Sequence, residues 1–330
     1  MSQVKVSLNA VEAATVRALV NHGAAPWVAK EVARAVRRAE ATGNIICGLY
    51  YLDSYCTQLR TGRVDGTVEP LVSKPKVAAV QIDARMGFAQ PAFARGIDVA
   101  IVTARECGIA TLAVCHSHTC TAMGFFTEQI ASAGLIGIGM TNAPACVSPP
   151  GGTQAVLGTN PIAMAVPDQP GEVAFKFDQS TSAVAIGKIR MAAAAGEKIP
   201  LGWAVDADGQ PTDDPDAALQ GSLVSAGGYK GYGIGLIVEL LAAAVTGSNL
   251  SVTASPLKAP EGPPHDLGQF YFLIDPTTHA GDGFWSSLET LTQAVQVQPN
   301  ARLPGSDSTL PGDVELDANL WAQVETLAAG

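Results

Sequence analysis

Charged residues are scarce in this sequence, and the two signs are unequally represented. Asp, Glu, Lys and Arg make up 15% of the 330 residues, with 20 basic against 30 acidic side chains, so the formal net charge is −10. Nucleic acids are bound mainly through clusters of Lys and Arg, and this chain has no basic stripe. We therefore expect no nucleic-acid partner.

Membrane spans and disulfide frameworks are also missing from the pattern. No apolar run reaches the ~18 residues of a membrane span, and the most apolar stretch, 234–245, is interrupted by Glu239. The six cysteines form no CxxC pair, and the first residues lack an uninterrupted signal-peptide core. We expect a cytoplasmic chain with reduced thiols and no membrane association.

Several short motifs that carry known chemistry are absent as well. The chain has no GxGxxG between a strand and a helix, no GxSxG, and no His/Cys spacing that predicts a metal site. The hydrophobic fraction is nevertheless 47% and the mean hydropathy +0.21, much of it from Ala, Val and Gly. Such residues fill helix–sheet and subunit interfaces, so we expect a large core and an oligomer.

Hydrophobic periodicity predicts alternating strands and helices. Asn9 and Glu12 form a plausible capping box for a first helix, and Pro26 suits the start of a second. Later helices are predicted at 91–106, 123–132, 181–195, 231–246 and 314–327. Strands are predicted at 76–84, 109–114, 135–140, 175–177 and 269–274. This alternation predicts an α/β sheet.

One stretch, 115–167, concentrates polar and reactive side chains between apolar runs. It contains His116, His118 and Cys120, and it ends near the tetrapeptide GTNP at 158–161. Reactive groups at the ends of buried strands are typical of an α/β active site. His116 and His118 alternate along a strand end, so only one of the two is expected to face a cleft.

Eight pieces of the chain, in order, resemble the malate/L-lactate dehydrogenase family, whose fold is not of the Rossmann type. They are TGRVDG (61–66), GFAQP (87–91), AGLIGIGMTN (133–142), GTNPIA (158–163), FDQSTSAVAIGKI (177–189), PLGWAVDADGQPTDDPDAALQG (200–221), GGYKG (227–231) and VELLAAAVTG (238–247). The piece at 200–221 resembles the branch that reduces Δ1-piperideine- and Δ1-pyrroline-2-carboxylate. The resemblance implies an α/β fold with a mixed sheet and helical termini.

The resemblance also implies a homodimer that uses NADPH or NADH to reduce a keto or imino acid at its α-carbon. Family contacts to the cofactor fall on Thr119, Cys120, Thr121, Thr159, Asp178, Gln179, Ser180, Tyr229, Lys230 and Arg302. Ser306 and Asp307 stand where relatives often have arginines, which leaves the choice between NADP and NAD open. The implied organisation is a helical dimerisation and substrate-loop segment (1–75), a cofactor-binding core (76–310) and a returning C-terminal helix (311–330).

The expected catalytic groups of the family are largely replaced. Its S-H-G-x-x-R pattern aligns with 46–51, so that Ile46, Cys47 and Tyr51 stand at the Ser, His and Arg positions. A second family histidine corresponds to Thr119, and an Asp of the imino-acid reductases corresponds to Lys188. The proton donor and the carboxylate-binding cation therefore have to be sought elsewhere.

Two sets of residues are candidates for proton delivery. In the first, Cys47 or Tyr51 donates the proton, against the alternative of an inert buried thiol and a packing aromatic ring. In the second, His116 or His118 donates it, with His118 favoured because it lies next to the family position, against the alternative of a histidine bonded to backbone. Lys188 either pairs with an anion of the substrate or cofactor or is a solvated helix residue.

These substitutions lead to three functional hypotheses. The first is an NAD(P)H-dependent reductase of a C=N or C=O bond in an atypical biosynthetic intermediate that lacks a free carboxylate, because a buried carboxylate without a cation is costly. The second is a non-redox enzyme or scaffold descended from the family. The third is an ordinary imino-acid or 2-keto-acid reductase that tolerates the replacements.

Overall fold

The computed structural model describes residues 2–168, 171–305 and 310–330. Its helices are α1 (Leu8–Asn21), α2 (Pro26–Ala41), α3 (Leu52–Arg60), α4 (Ala89–Cys107), α5 (Gly124–Ser132), α6 (Ile186–Ala195), α7 (Pro215–Gln220), α8 (Tyr229–Glu239), α9 (Thr277–Ala280), α10 (Gly283–Gln296) and α11 (Ala318–Ala329). Its strands are β1 (Gln3–Ser7), β2 (Leu71–Lys76), β3 (Ala79–Asp83), β4 (Ile109–Ser117), β5 (Ile136–Thr141), β6 (Ile162–Pro167), β7 (Val173–Gln179), β8 (Ala204–Val205), β9 (Pro211–Thr212), β10 (Ser222–Leu223), β11 (Leu267–Ile274) and β12 (Asp313–Asp317).

A seven-stranded sheet forms the centre of the molecule, in the order β2-β3-β4-β11-β5-β6-β7. Strands β3 and β4 are parallel, and the other neighbouring pairs are antiparallel. The predicted α/β fold with a mixed sheet is therefore confirmed. Helices α4 and α5 pack on this sheet, where Phe93, Phe126 and Tyr271 form an aromatic cluster with ring centroids 4.9–5.9 Å apart.

Helix α8 continues for one turn, Leu240–Ala244, with π-helical hydrogen bonding. The structure thus contains the predicted apolar helix, which begins two residues earlier than expected. Among the described residues, no helix is both long enough and apolar enough to cross a bilayer.

The two ends of the chain meet in a way that the sequence pattern did not predict. β1 and β12 pair antiparallel, with Val4 opposite Leu316, and α1 packs against α11. The prediction of a helix over 314–327 is wrong in its first part, because 313–317 is a strand in which Asp313 and Glu315 are exposed and Leu316 is buried. This pairing joins the predicted first and last segments in one apolar cluster.

Two helix starts also differ from the prediction. The capping box at Asn9 and Glu12 is wrong, because α1 begins at Leu8 and Ser7 caps it by accepting a hydrogen bond from the Ala10 amide. Helix α6 begins at Ile186 rather than at 181. The residues before it are held by hydrogen bonds to a neighbouring turn instead, which removes them from the helix.

The division into segments 1–75, 76–310 and 311–330 stays a prediction. Strand β2 begins at Leu71 and pairs with β3, so the central sheet starts before residue 76. Ser306 and Asp307, which bear on the choice between NADP and NAD, lie outside the described residues.

Candidate functional site

A cleft of about 720 Å³ opens on the surface of the described structure. It lies between the loop that joins α2 to α3, the GTNP turn, the first turns of α6, and the loop that precedes β11. This volume is within the ~300–1,000 Å³ of typical small-molecule sites. The cleft is therefore the candidate active site.

The loop between α2 and α3 consists of two short 3₁₀ turns that carry Cys47 and Tyr51 into the cleft. A buried carboxyl group, Glu40, fixes this loop by accepting a hydrogen bond of 2.7 Å from the Leu49 amide. A Cβ atom on Gly48 would lie 2.0 Å from the Glu40 Oε1 atom, so only glycine permits this close approach. Burial raises the pKa of Glu40, and the Leu49 hydrogen bond partly opposes that rise.

Cys47 is half-buried, and its thiol keeps its proton far above neutral pH. Desolvation and the negative charge of Asp178 raise its pKa to about 12, while a hydrogen bond with Asn44 has the opposite effect. A thiol without a cation beside it is a poor nucleophile and a weak acid. The environment of Cys47 therefore resembles that of the inert thiol considered from the sequence.

Tyr51 lies in the cleft wall and stacks on Tyr55, with ring centroids 5.8 Å apart. Desolvation raises the pKa of its hydroxyl to about 12, with smaller contributions in the same direction from Cys47 and Tyr50. The positive charge of Arg190 acts in the opposite sense. The Tyr51 hydroxyl is thus protonated at neutral pH, and Arg190 offsets only part of the effect of burial.

The GTNP turn is anchored from behind by a buried carboxylate. Asn160, with a φ of 39°, donates hydrogen bonds to the Gly235 carbonyl at 3.1 Å and to Glu239 Oε2 at 2.8 Å. Glu239 also accepts from the Ser251 amide at 2.6 Å and from the Ser251 hydroxyl. These bonds explain why a glutamate interrupts the most apolar helix, and they place Thr159 at the cleft surface.

Asp178 is the penultimate residue of strand β7 and caps helix α5 by accepting a hydrogen bond of 2.8 Å from the Gly124 amide. Solvent reaches this carboxylate through the cleft, yet the surrounding protein desolvates it and raises its pKa. A second recess of about 430 Å³ shares Asn44, Ala122 and Asp178 with the cleft. The two spaces together form one elongated site with Asp178 at their junction.

The structure brings together eight of the residues predicted from the sequence. Those that line the cleft are Cys47, Tyr51, Thr119, Thr121, Thr159, Asp178, Gln179 and Ser180. Seven others lie outside its lining: His116, His118, Cys120, Lys188, Tyr229, Lys230 and Arg302. The roles assigned to the residues of both groups stay predictions.

His118, the favoured histidine, is buried beneath the cleft rather than in its wall. Its Nε2 atom donates a hydrogen bond to Gln58 Oε1, and its ring stacks on His265 with centroids 3.9 Å apart. Desolvation lowers the pKa of His118 well below its usual value, and the charges of His265 and Arg63 add to the effect. A neutral ring without access to the cleft fits the alternative of a structural histidine.

His116 also lies away from the cleft, at the end of β4. Its Nδ1 atom is 2.8 Å from Asp266 Oδ1, and its φ is 52°. Ligand atoms of Asp83, Cys115 and His116 lie within 4.8 Å of one another. None of these three residues lines the cleft.

Two cations in the cleft were missed by the sequence interpretation. Arg190 lies on α6, one turn after Ile186, and Lys258 lies in the loop before β11. The resemblance directed attention to Lys188, which is exposed and does not line the cleft. The helical repeat was the available signal, because residues 186 and 190 share a face that 188 does not. For Lys258, no local pattern was available.

Comparison with known proteins identifies close relatives. The family model described as malate/L-lactate dehydrogenase matches residues 6–325. A (2R)-3-sulfolactate dehydrogenase (NADP⁺) of Chromohalobacter salexigens is 41% identical over 301 residues, which cover 91% of this chain and 90% of that protein. A Δ1-pyrroline-2-carboxylate/Δ1-piperideine-2-carboxylate reductase of Pseudomonas syringae pv. tomato is 39% identical over 290 residues, 88% of this chain and 84% of that protein.

Solved structures agree in fold over almost the whole chain. The Δ1-piperideine-2-carboxylate reductase of Pseudomonas syringae has a TM-score of 0.90 at 35% identity, covering 98% of this chain and 99% of the other. The sulfolactate dehydrogenase of Methanocaldococcus jannaschii has a TM-score of 0.89 at 27% identity, covering 99% and 97%. The expected fold and the expected oxidoreductase are confirmed. This chain belongs to the malate/L-lactate dehydrogenase family.

Proposed function

We propose that this protein uses NADPH or NADH to reduce a C=N or C=O bond next to the carboxylate of a small substrate. The observation that carries the proposal is the cleft that brings the Tyr51 hydroxyl and Arg190 together with Thr159 and Asp178. The names of the relatives support the same chemistry, since they act on sulfolactate with NADP⁺ or on cyclic imino carboxylates.

The residues of the cleft fit a nicotinamide dinucleotide. The cleft and the adjoining recess provide an elongated space. The small residues Ala122 and Gly187 in its wall leave room for a ligand. Thr121, Thr159 and Ser180 offer hydroxyl groups for the ribose and phosphate oxygens. The bound cofactor supplies the hydride, and the protein has to place the substrate and deliver the proton. The choice between NADPH and NADH is left to measurement.

Tyr51 is the better of the two proton donors in the cleft. Both Tyr51 and Cys47 hold their protons at neutral pH, because the pKa of each is raised to about 12. Their neighbours differ in charge: Asp178 adds to the rise of the pKa of Cys47, whereas Arg190 opposes part of the rise of the pKa of Tyr51. Arg190 therefore favours the Tyr51 phenolate, but burial and the neighbouring Cys47 and Tyr50 outweigh it.

The hypothesis of a substrate without a carboxylate rests on the absence of an arginine at residue 51. Ile46 and Tyr51 do make part of the wall apolar. Arg190 and Lys258 nevertheless bring positive charge to the same cleft. These cations favour a substrate that keeps its carboxylate, and hence an imino-acid or 2-keto-acid reductase. The test below also distinguishes this reductase from a non-redox descendant of the family.

Assembly and location are proposals of the same kind. The helix α8 and its π-helical extension expose Ile234, Ile237 and Leu240, by 45%, 54% and 57%, and an apolar face of this size supports a homodimer. Sedimentation of the purified chain checks this, and a monomer at micromolar concentration would contradict it.

All six cysteines are free thiols, which supports a location in the reducing cytoplasm. Fractionation of the source cells checks that location.

The function is tested by following the absorbance of NADPH and NADH with Δ1-pyrroline-2-carboxylate, Δ1-piperideine-2-carboxylate, pyruvate and sulfopyruvate. We expect turnover of at least one of these acids. Tyr51→Phe should lower kcat by ~10²-fold or more while cofactor affinity is kept, since general acid catalysis contributes ~10²–10⁴-fold. The matched variant Cys47→Ala should keep most of the activity.

Two results would contradict the proposal. If calorimetry detects no binding of NADPH or NADH and no acid is reduced, the non-redox hypothesis replaces it. If Tyr51→Phe keeps full turnover and Cys47→Ala loses it, the thiol is the donor and the charge argument for Tyr51 fails.

A further inference from the structure

Arg190 is a cation on the wall of the cleft. Within the described ranges 2–168, 171–305 and 310–330 its guanidinium makes no hydrogen bond or ion pair. Its positive charge acts on the Tyr51 hydroxyl and on the Cys146 thiol, both of which line the same cleft. A guanidinium beside a ligand-sized space, with its donors unused, is suited to a planar oxyanion such as a carboxylate.

Lys258 approaches Tyr51 from a different element. Its ammonium group lies 3.2 Å from the centroid of the Tyr50 ring and 5.0 Å from that of Tyr51. It donates one hydrogen bond, of 3.2 Å, to the Tyr50 carbonyl, and no carboxylate of the described residues pairs with it. A cation held on aromatic faces keeps donors available for an incoming anion.

The loop that carries Lys258 is held firmly in place. Gln58 donates to the carbonyls of Leu257 and Ala259 at 2.7 and 3.0 Å, and the buried Arg63 donates to the carbonyl of Ala259 at 2.7 Å. His118, which bonds to Gln58, is part of this support. Because the loop is already ordered, little conformational entropy is lost when Lys258 binds a ligand.

The charges in the cleft are separated in space. The carboxylate of Asp178 acts on Cys47 and caps helix α5, whereas Arg190 acts on Tyr51 and Cys146. Lys258 lies 5.0 Å from the centroid of the Tyr51 ring, whereas Asp178 also lines the second recess. An anionic group is expected to bind beside Lys258 and Arg190 rather than at the junction with the second recess.

We infer that Arg190 and Lys258 together bind the carboxylate of the substrate beside the Tyr51 hydroxyl. The inference rests on the proposed function only for the identity of the substrate, since the site itself follows from the two cations. Binding there places the bond next to the carboxylate within reach of Tyr51. The ligand class is a small planar 2-imino or 2-keto carboxylate.

The test compares two probes that differ in charge and not in shape, furan-2-carboxylate and furan-2-carboxamide. Their affinities are measured by calorimetry with and without NADPH. The unaltered protein should bind the carboxylate more tightly. Arg190→Gln and Lys258→Gln should each weaken carboxylate binding ~10- to 100-fold, as expected for a lost charged hydrogen bond. Carboxamide and NADPH affinities should change by less than about twofold, well below that loss.

Matched controls remove an exposed charge elsewhere. Arg17→Gln and Lys74→Gln alter exposed cations outside the cleft and should leave carboxylate affinity unchanged. Arg190→Lys should recover part of the loss, because it restores the charge without the guanidinium fork. Thermal melting of each variant verifies that the chain is folded.

Equal affinities of the unaltered protein for the two probes would overturn the inference. So would an Arg190→Gln variant that binds NADPH less tightly and the carboxylate as before, since the cation would then serve a cofactor phosphate. Neither probe requires hydride transfer, so a chain that binds the carboxylate through both cations and reduces nothing would retain the site and refute the proposed function.

Discussion

Removal of the Glu239 carboxylate is the sharpest perturbation of the GTNP turn, which carries Thr159 at the surface of the cleft. Glu239 is 6% exposed and accepts hydrogen bonds from the Asn160 amide, the Ser251 amide nitrogen and the Ser251 hydroxyl. Asn160 and Ser251 are themselves 0% and 1% exposed. Glu239→Ala would remove the acceptor that these buried donors share.

The size of the effect follows from what each donor can still reach. The Ser251 amide loses its partner entirely, Asn160 keeps the Gly235 carbonyl, and the Ser251 hydroxyl can rotate. A buried donor that loses its only hydrogen-bond partner destabilises the fold by ~1–3 kcal/mol. The loss is at the upper end of that range when the partner was a charged acceptor. We therefore expect Glu239→Ala to lower the free energy of unfolding by about 3–5 kcal/mol.

Urea denaturation monitored by circular dichroism measures this change. Glu239→Gln keeps one oxygen acceptor and should lose roughly 1–2 kcal/mol. Glu325→Ala, at an exposed position of α11, is the matched control and should stay within ~0.5 kcal/mol. The affinity for NADPH should fall in Glu239→Ala because the GTNP turn loses its anchor. A loss of stability below ~1 kcal/mol would refute the reasoning.

Two further predictions concern the loop between α2 and α3. Gly48→Ala should lower the free energy of unfolding by ~1–3 kcal/mol, because its Cβ would lie 2.0 Å from Glu40 Oε1. Thermal melting measures the change, and Gly312→Ala, with open space around residue 312, is the control. Equal melting temperatures of the two variants would contradict the packing argument. The raised pKa of Cys47, about 12, leaves a thiolate fraction on the order of 10⁻⁴ at pH 8. Iodoacetamide should therefore label the exposed Cys107 first and Cys47 only as the pH is raised, whereas equal labelling at pH 8 in peptide mass spectra would show a lower pKa.

Local patterns predicted five of the seven strands of the central sheet, and β2 and β6 were missed. Apolar runs predicted β4 and β5, and α4 ends at Cys107, one residue beyond the predicted end, where Gly108 has a φ of 78°. The pairing of β1 with β12 depends on contacts between the two chain ends, which no local window contains. The same dependence on distant contacts explains why residues 314–317 were predicted as helix. The apolar and polar residues of β12 alternate over only five positions, and the helical pattern that follows them dominated the prediction.

The site could be predicted only where a motif carried it. Cys47, Tyr51 and Thr159 were located through the family pattern, and the structure places all three in the cleft. Lys258 reaches the cleft because Gln58 and Arg63 hold its loop, and such long-range support has no sequence signature. His118 was favoured for its position in the chain, but burial and its bond to Gln58 decide its environment.

Transfer of deuterium tests the central claim most directly. The protein is incubated with NADPH and NADH deuterated at the transferable positions of the nicotinamide, together with Δ1-pyrroline-2-carboxylate or pyruvate, and the product is analysed by mass spectrometry. The account predicts a product with deuterium at its α-carbon, formed by the unaltered chain and strongly reduced in Tyr51→Phe. A product without deuterium, or no product from any 2-imino or 2-keto acid, would contradict it.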